Sequence, residues 1–245
     1  MSRALVTGGT GMLGSHVVDR LLGEGVAVRV LARDPSRAGG LARRGVEVVA
    51  GDLQDPASVA RAVRGVEVVH HTAAAIGGDD DWEAYHRGNV EGTRHVLEGA
   101  VRYGARLVHV SSTAVFGRHR FFDRPTDETV PLPELPLEDA YGRSKQEAER
   151  LVLDAHRTGR GWVTVVRPPV MYGLRDRQFV PRLAPVVRRG VFPLVAGGSA
   201  RMTLVHGDAV AQGMLLAAAA DQARGQVYHL TDDFPVTVRE MVVWA

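Results

Sequence analysis

The chain has 245 residues, 45% of them hydrophobic, and its 30 Lys and Arg residues nearly balance its 28 Asp and Glu residues, leaving a net charge of +2. That length can bury one sizeable core, with or without a small second lobe. The absence of cysteine excludes disulfides, thiolate catalysis and cysteine-based zinc sites. No basic stripe with interleaved aromatic residues and no apolar run of about 18 residues occurs, so we expect neither a nucleic-acid partner nor a membrane span.

A glycine-rich turn between a strand and a helix opens the chain. Residues 3–7 read as a short buried strand, and an apolar-periodic helix follows the glycines. Such glycines allow a tight turn and a close backbone approach to a pyrophosphate, which the helix N-terminus then binds. A turn without a ligand is the alternative. The residues expected to bind the dinucleotide here are Gly8, Thr10, Gly11, Met12, Leu13 and Gly14. Because the strand begins at once, we expect no signal peptide and a cytoplasmic protein.

Further strands alternate with helices along the first two thirds of the chain. They are predicted at 26–32, 46–50, 66–72, 106–111 and 162–167. Asp34-Pro35 and Asp55-Pro56 each place a capping residue before a proline suited to the first helical position. Near-continuous apolar strands separated by helices indicate a parallel sheet covered on both faces. The predicted fold is therefore α/β, a Rossmann-type doubly wound parallel sheet, whose ligands bind at the carboxyl ends of the strands.

Small and polar residues stand at those strand ends. Asp52 and Leu53 follow the third strand, where the carboxylate could meet an adenine amino group or cap a loop. Thr72, Ala73 and Ala74 close the fourth strand and would let a nicotinamide ribose come close. Ser111, Ser112 and Thr113 close the fifth strand, and a serine hydroxyl there could donate to a substrate carbonyl. Backbone capping or solvent exposure would also explain these serines.

Tyr141 and Lys145 stand four residues apart on a predicted helix, so both side chains can face one site. A nearby ammonium favours the phenolate form of a tyrosine and lowers its pKa toward the range useful for proton transfer. The same spacing occurs by chance on amphipathic helices.

Taken in order, these motifs resemble the extended short-chain dehydrogenase/reductase family, also called the NAD-dependent epimerase/dehydratase family. The resemblance covers nearly the whole chain. It is carried by the stretches 7–14, 51–53, 89–93, 111–117, 141–145, 167–173, 201–210 and 227–230.

The resemblance implies a role for each matching residue. Tyr141 would be the general acid/base, and Lys145 would bind the nicotinamide ribose and lower the tyrosine pKa. Ser112 would supply the third catalytic hydroxyl, with Ser111 or Thr113 in its place if the register slips by one. Asn89 would line the site on the central helix. Pro168 and Val170 would border the nicotinamide.

The end of the second strand decides between the two dinucleotides. An acidic residue there binds the ribose 2′-hydroxyl of NAD, whereas an arginine accommodates the 2′-phosphate of NADP. By the spacing of the family the acid position is Ala32, followed by Arg33, and Arg37 could add a second cation. Asp34 competes for an NAD role, although its position before Pro35 suits a helix cap better. We therefore predict NADP, with NAD possible.

The resemblance leaves three classes of function open. Dehydratases of this family carry an Asp-Glu pair where this chain has Thr113 and Ala114, which disfavours dehydration. We predict an NAD(P)-dependent reductase or dehydrogenase acting on a ketone or secondary alcohol, with Ser112 and Thr113 near the substrate. A nucleotide-sugar epimerase is the alternative, since Arg201 matches an arginine that meets the nucleotide diphosphate in such relatives; it could equally be a surface charge. A dinucleotide-binding regulator without turnover is the third class.

Residues 1–173 are predicted to form the dinucleotide-binding domain with the catalytic residues. Residues 174–245 would form a small substrate lobe, with a strand and a helix returning to the main domain. Thr237 and Glu240 look like a capping box. Relatives usually continue beyond residue 245, so the lobe is either naturally short or truncated. The helices around 89–103 and 141–156 pair subunits in many relatives, which predicts a homodimer. No metal is expected, because His70 and His71 lack supporting ligand spacing. His206, a single histidine beside a strand, is more often a structural residue than a catalyst.

Overall fold

A computed structural model describes residues 2–76, 81–117, 126–189, 194–232 and 234–244. Eleven strands are found in that part of the chain: β1 Arg3–Thr7, β2 Ala27–Ala32, β3 Glu47–Ala50, β4 Val68–His71, β5 Arg106–Val110, β6 Val163–Arg167, β7 Val170–Tyr172, β8 Arg201–Met202, β9 Leu204–His206, β10 Val227–His229 and β11 Val236–Thr237. Its α-helices are α1 Met12–Gly23, α2 Gly39–Ala42, α3 Pro56–Val63, α4 Trp82–Tyr85, α5 Gly92–Tyr103, α6 Ala140–Arg157, α7 Val180–Arg188, α8 Gly207–Ala219 and α9 Val238–Trp244.

Seven parallel strands form the central sheet in the order β3-β2-β1-β4-β5-β6-β10. The strand order reverses between β1 and β4, where Ala4 pairs with Val68 on one side and with Val28 on the other. A ligand crevice lies outside the carboxyl ends of the strands at such a reversal. This confirms the predicted Rossmann-type fold, and it places the glycine turn after β1 at the expected position.

Two apolar layers cover the faces of the sheet. One contains Val17 and Val18 of α1 together with Met214 of α8. The other contains Val96 of α5 and Val152 of α6. Since both faces are buried, the strands are apolar along their length rather than alternating.

The predicted strand ends agree with the structure to within two residues. The largest difference is at β4, predicted from residue 66, where Val66 instead donates its N–H to Val63 O in a turn. Asp34 and Asp55 act as N-caps, accepting from Ser36 N and Ala57 N at 3.0 Å each.

Small paired strands and a separate apolar cluster follow β6. β7 pairs with β9, β8 pairs with β11, and Leu204, Val236 and Met241 form the cluster. The chain also returns to the main sheet, because β10 pairs with β6 and α8 packs on α1. The boundary at residue 173 stays a prediction. The predicted capping box is present, with Thr237 N–H donating to Glu240 Oε2 at 2.8 Å and Glu240 N–H donating to Thr237 Oγ1 at 3.2 Å. Within the described ranges, no helix has both the length and the apolar character that a bilayer crossing requires.

Candidate active site

The glycine turn, residues 8–14, forms a cradle too tight to admit a side chain at Gly8 or Gly14. Gly8 has a φ of +72°, and a Cβ atom there would lie 2.8 Å from Ala73 N. A Cβ atom on Gly14 would lie only 2.2 Å from Gly8 O. α1 starts after Gly11 without a side-chain cap, so its first-turn N–H groups are left for a ligand. Thr10 and Gly11 are exposed, Met12 is half-buried and Leu13 is buried. Open backbone beside a helix N-terminus fits the pyrophosphate of a dinucleotide.

Cationic side chains follow β2, and the carboxylate nearest to them in sequence, Asp34, is already hydrogen-bonded within the protein. Arg33 and Arg37 are exposed, and Ala32 is buried with 8% exposure. The Asp34 carboxylate accepts from Ser36 Oγ at 2.6 Å as well as from Ser36 N. These two hydrogen bonds hold the pKa of Asp34 below its usual value, with the side-chain bond first among the causes. Asp34 is thus committed to its helix cap, as the sequence suggested.

Residues after β3 and β4 line the same edge of the sheet. Asp52 Oδ1 accepts from Gln54 N at 3.0 Å, so its carboxylate caps a local turn; a contact with adenine stays a prediction. Leu53 is half-buried. Thr72 Oγ1 donates to Thr7 O at 2.7 Å, and Ala73 backs onto Gly8.

Lys145, on α6, is buried, with 2% exposure. It is the only lysine of the chain. Its Nζ donates to Val110 O at 2.7 Å, which ties α6 to the end of β5. Burial lowers the Lys145 pKa from 10.5 to about 8, while the Glu149 carboxylate opposes the shift. The side chain is therefore still mostly a cation at neutral pH, poised close to its deprotonation.

Ser112 begins the short turn that follows β5. Its Oγ accepts from Ala114 N at 3.1 Å, which caps the short 3-10 turn. α6 lies against this turn, since a Cβ atom on Gly142 would come within 2.7 Å of Ala114 O. Tyr141, next to Gly142, packs edge-on against Tyr85 with ring centroids 5.7 Å apart. The serine turn and the start of α6 are thus in contact at the carboxyl edge of the sheet.

Two further candidate residues flank this turn. Ser111 is 2% exposed, and its Oγ has no hydrogen-bond partner among the described residues. A buried hydroxyl without a partner is costly, and it fits a site completed by a ligand group. Thr113 is half-buried, and its N–H donates to Pro168 O at 3.1 Å. Pro168 is buried and Val170 is 37% exposed beside it, as a wall of the site would be.

Asn89 stands in a π-helical segment, His86–Glu91, between α4 and α5. Single π-helical turns inside α-helices occur often at functional sites. The Asn89 side chain accepts from Ala75 N at 2.7 Å and donates to Ser144 Oγ at 2.9 Å. It therefore joins the segment after β4 to the helix that carries Tyr141 and Lys145. The sequence did not single out Ser144, whose serine-before-lysine position carries no signal by itself.

Arg201 lies outside the central sheet, in the small pair of strands β8 and β11. It is exposed in β8, where it pairs with Thr237, and its charge lowers the pKa of Glu240 as a lesser contribution after the hydrogen bonds from Thr237. Within the described part of the chain, no group of three or more His, Asp or Glu side chains is arranged to hold a metal ion.

Comparison with known proteins agrees with this geometry. The family model described as "NAD dependent epimerase/dehydratase family" matches residues 4–230. The chain belongs to this family. As a member of the epimerase/dehydratase family, it also aligns with named relatives over almost its full length.

Two of these relatives are reductases. The chain is 36% identical over 242 residues to a 4-hydroxy-2-methyl-3-oxo-4-farnesyl-3,4-dihydroquinoline-1-oxide ketoreductase of Stigmatella aurantiaca, covering 98% of this chain and 71% of the relative. It is 35% identical to a 2-alkyl-3-oxoalkanoate reductase of Stenotrophomonas maltophilia, covering 98% of this chain and 73% of the relative.

Among solved structures, a dTDP-glucose 4,6-dehydratase double mutant from Streptomyces venezuelae, with NAD bound, superposes with a TM-score of 0.82. It is 30% identical, and the match covers 98% of this chain and 79% of that one. The chain is accordingly an enzyme, an NAD(P)-dependent oxidoreductase of the extended short-chain dehydrogenase/reductase type.

Proposed function

We propose that this enzyme reduces a ketone to a secondary alcohol, or catalyses the reverse, with NADP as its cofactor and Tyr141 as general acid/base. The observation that carries the proposal is the buried bond from Lys145 Nζ to Val110 O at 2.7 Å. It anchors the only lysine of the chain at the last residue of β5, directly before Ser111 and Ser112. Tyr141, one helical turn earlier, is thereby directed to the same edge of the sheet as Ser112.

In the proposed mechanism the chain's residues bind the carbonyl oxygen and move one proton. The Ser112 hydroxyl donates to the carbonyl oxygen and orients it. Tyr141 then gives its phenolic proton to that oxygen as the alcohol forms, and the Lys145 ammonium stabilises the resulting phenolate. A nicotinamide bound at the glycine turn would supply the hydride for the carbonyl carbon. In the oxidative direction Tyr141 accepts the proton instead.

The proposed substrate is an apolar ketone with a substituted carbon next to the carbonyl. The two reductases named above act, by their names, on 3-oxo compounds that carry an alkyl group at position 2. Two apolar side chains of this enzyme stand at the carboxyl end of the sheet without burial: Ile76, after β4, is 52% exposed, and Val170, after β6, is 37% exposed. An alkyl chain lying against them would remove apolar surface from water.

A ketone panel with matched variants tests the proposed reaction. Purified enzyme is incubated with NADPH and 2-alkyl-3-oxo acids or their esters, and nicotinamide absorbance is followed. Tyr141→Phe should lower kcat by about 100-fold or more, the range of a lost general acid. Tyr103→Phe removes a hydroxyl at the far end of α5 and should leave kcat unchanged. Equal rates for the wild type and Tyr141→Phe would refute the role of Tyr141.

The NADP preference is proposed from Arg33 and from the commitment of Asp34 to Ser36. A hydrogen bond to a charged group contributes about 1.5–3 kcal/mol, or about 10- to 150-fold in affinity. Arg33→Asp should therefore shift the NADPH-to-NADH affinity ratio toward NADH by about that factor. Arg61→Asp makes the same change of charge on an exposed residue in the last turn of α3, and it should leave the ratio unchanged. If Arg33→Asp leaves the NADPH-to-NADH affinity ratio unaltered, Arg33 does not determine the preference.

Nucleotide-sugar epimerisation is the second candidate. Solved structures with bound nucleotide sugars share this fold, among them one described as MoeE5 in complex with UDP-glucose and NAD, which is 27% identical. Arg201, exposed on β8, matches an arginine that meets the nucleotide diphosphate in such relatives, which supports this candidate. Incubation with UDP- and dTDP-sugars separates the two functions: an altered sugar without net change of cofactor supports epimerisation, whereas consumption of NADPH by ketones supports reduction.

A further inference from the structure

A series of buried hydrogen bonds connects β1 to α6, the helix that carries Tyr141 and Lys145. Thr7, the last residue of β1, pairs its Oγ1 with His71 Nδ1 at 2.7 Å. His71 Nε2 lies 3.0 Å from Thr93 Oγ1. Thr93 Oγ1 in turn donates to Asn89 O at 2.5 Å. These three hydrogen bonds are the first half of the series, which starts beside Gly8 and reaches the π-helical segment.

The second half of this series runs from Asn89 to α6. Asn89 Nδ2 donates to Ser144 Oγ at 2.9 Å. Ser144 Oγ donates to the backbone carbonyl of Tyr141 at 2.8 Å. We call the whole series, from Thr7 through His71, Thr93, Asn89 and Ser144 to the Tyr141 carbonyl, the Thr7–Tyr141 line. Its five side chains are all at most 2% exposed.

Each proton in the first half of the line has only one possible position. Thr93 has a single hydroxyl proton, which it gives to Asn89 O, so it must accept from His71 Nε2–H. With its proton on Nε2, a neutral His71 accepts at Nδ1 from the Thr7 hydroxyl. Burial, first, and the charge of Lys145 lower the pKa of His71 to about 3, so the ring is neutral at physiological pH. Because each donor and acceptor in this half is fixed, the hydrogen bonds cannot reverse direction, and the side chains are held in one arrangement.

We propose that His71, Thr93 and Ser144 are positioning residues that couple the glycine cradle to Tyr141. This inference rests on the proposed function of that site. One end of the line fixes Thr7, whose next residue, Gly8, closes the cradle through the bond from Gly11 N at 2.9 Å. The other end holds the first turn of α6, where Tyr141 lies. Binding of the dinucleotide at the cradle thereby sets the backbone of the proton donor, and the coupling is reciprocal.

A structural role alone would have a different signature. Buried polar groups must be satisfied in any fold, and their loss lowers stability wherever they lie. A positioning role instead changes turnover more than substrate affinity, because small misplacements of the reacting groups slow the chemical step. Two variants that lose the same stability can therefore be distinguished: a positioning residue lowers kcat with little change of KM, whereas a purely structural residue does not.

The first experiment compares three threonine variants with NADPH and a ketone substrate. Thr93→Val removes both hydrogen bonds of Thr93 without changing its shape, and Thr93→Ser restores the hydroxyl. Thr164→Val is the matched control, since Thr164 is fully buried and donates to Gln226 O at 3.2 Å outside the line. We expect Thr93→Val to lower kcat by about 10- to 100-fold with little change of KM. Thr93→Ser should recover most of kcat, and Thr164→Val should keep it. Equal kcat values for Thr93→Val and Thr164→Val would overturn the proposal.

The second experiment needs no turnover. NADPH affinity is measured for Thr7→Val, Ser144→Ala and the double variant, because these residues lie at opposite ends of the line. If the line couples them, Ser144→Ala weakens NADPH binding, and the loss in the double variant is smaller than the product of the single losses. Losses that simply multiply would overturn the coupling. If the wild type binds NADPH but reduces no ketone, the proposed reaction fails while this cycle still decides the coupling.

Discussion

The buried ammonium of Lys145 should destabilise the folded enzyme at neutral pH, and replacing it should stabilise the fold while abolishing activity. A pKa moved from 10.5 to about 8 corresponds to about 3 kcal/mol favouring the neutral amine in the folded state. Below pH 8 both folded and unfolded chains hold this proton, so the full penalty is present. Between pH 8 and 10.5 the unfolded chain holds it more often, so stability rises with pH across that window.

Lys145→Met keeps the length of the side chain and removes the charge. It also gives up the hydrogen bond to Val110 O, which offsets about 1 kcal/mol of the gain. The variant should therefore unfold with a free energy about 1–3 kcal/mol higher at pH 7. The difference should shrink as the pH rises from 8 to 10.5. Activity should be lost at every pH, as in other sites where a destabilising residue serves function.

Urea denaturation of both proteins between pH 6 and 11 measures this difference directly. Tyrosines also titrate in that range, but they do so in both proteins and cancel in the comparison. Because the chain has one lysine, labelling lysine at the side chain gives a single NMR signal whose titration reports the pKa of Lys145. A midpoint near 10.5, or a Lys145→Met variant less stable than the wild type at pH 7, would refute the burial argument.

Three further substitutions test other parts of the site. Gly14→Ala places a Cβ atom 2.2 Å from Gly8 O and should weaken NADPH binding at least about tenfold. Gly23→Ala, in the same helix with open space around it, should leave NADPH binding unchanged. Equal NADPH affinities for the two variants would contradict the cradle. Ser112→Ala should lower kcat by about 100-fold or more with NADPH affinity unchanged, measured by steady-state kinetics and fluorescence titration; unchanged kcat would transfer the role to Ser111. Glu149→Gln removes the carboxylate that pairs with Arg167, which is 4% exposed, and should lower the free energy of unfolding in urea by about 3–5 kcal/mol. Asp154→Asn, in an exposed ion pair, should lower it by less than about 1 kcal/mol.

The main sheet could be predicted from the sequence because its signals are local. Buried parallel strands are apolar along their length, and Asp-Pro pairs mark helix starts, so residues 3–7 and the caps at Asp34 and Asp55 agree with the structure. The position of the glycine turn followed from the same reasoning. The candidate residues of the site were found by motif, which gives identity and order but no distances.

What the sequence could not give depends on tertiary contacts. The bond from Lys145 to Val110 O joins residues 35 positions apart, and no local pattern encodes it. The π-helical segment around Asn89 follows from packing rather than from propensity. His71 has no metal-ligand spacing that would mark it in the sequence, because its partners Thr7 and Thr93 lie in other elements of the fold. The roles of the site residues, the homodimer and the domain boundary stay predictions.

Deuterium transfer tests the central claim most directly, namely that Tyr141 delivers a proton while a nicotinamide delivers hydride to the same carbonyl. The enzyme is incubated with a 2-alkyl-3-oxo substrate and NADPH deuterated at C4 on one face or the other, and the product is examined by mass spectrometry. We predict one deuterium on the former carbonyl carbon from one of the two cofactors only, and almost none with Tyr141→Phe over the same time. Product without deuterium from either cofactor, or labelling by Tyr141→Phe at the wild-type rate, would contradict the account.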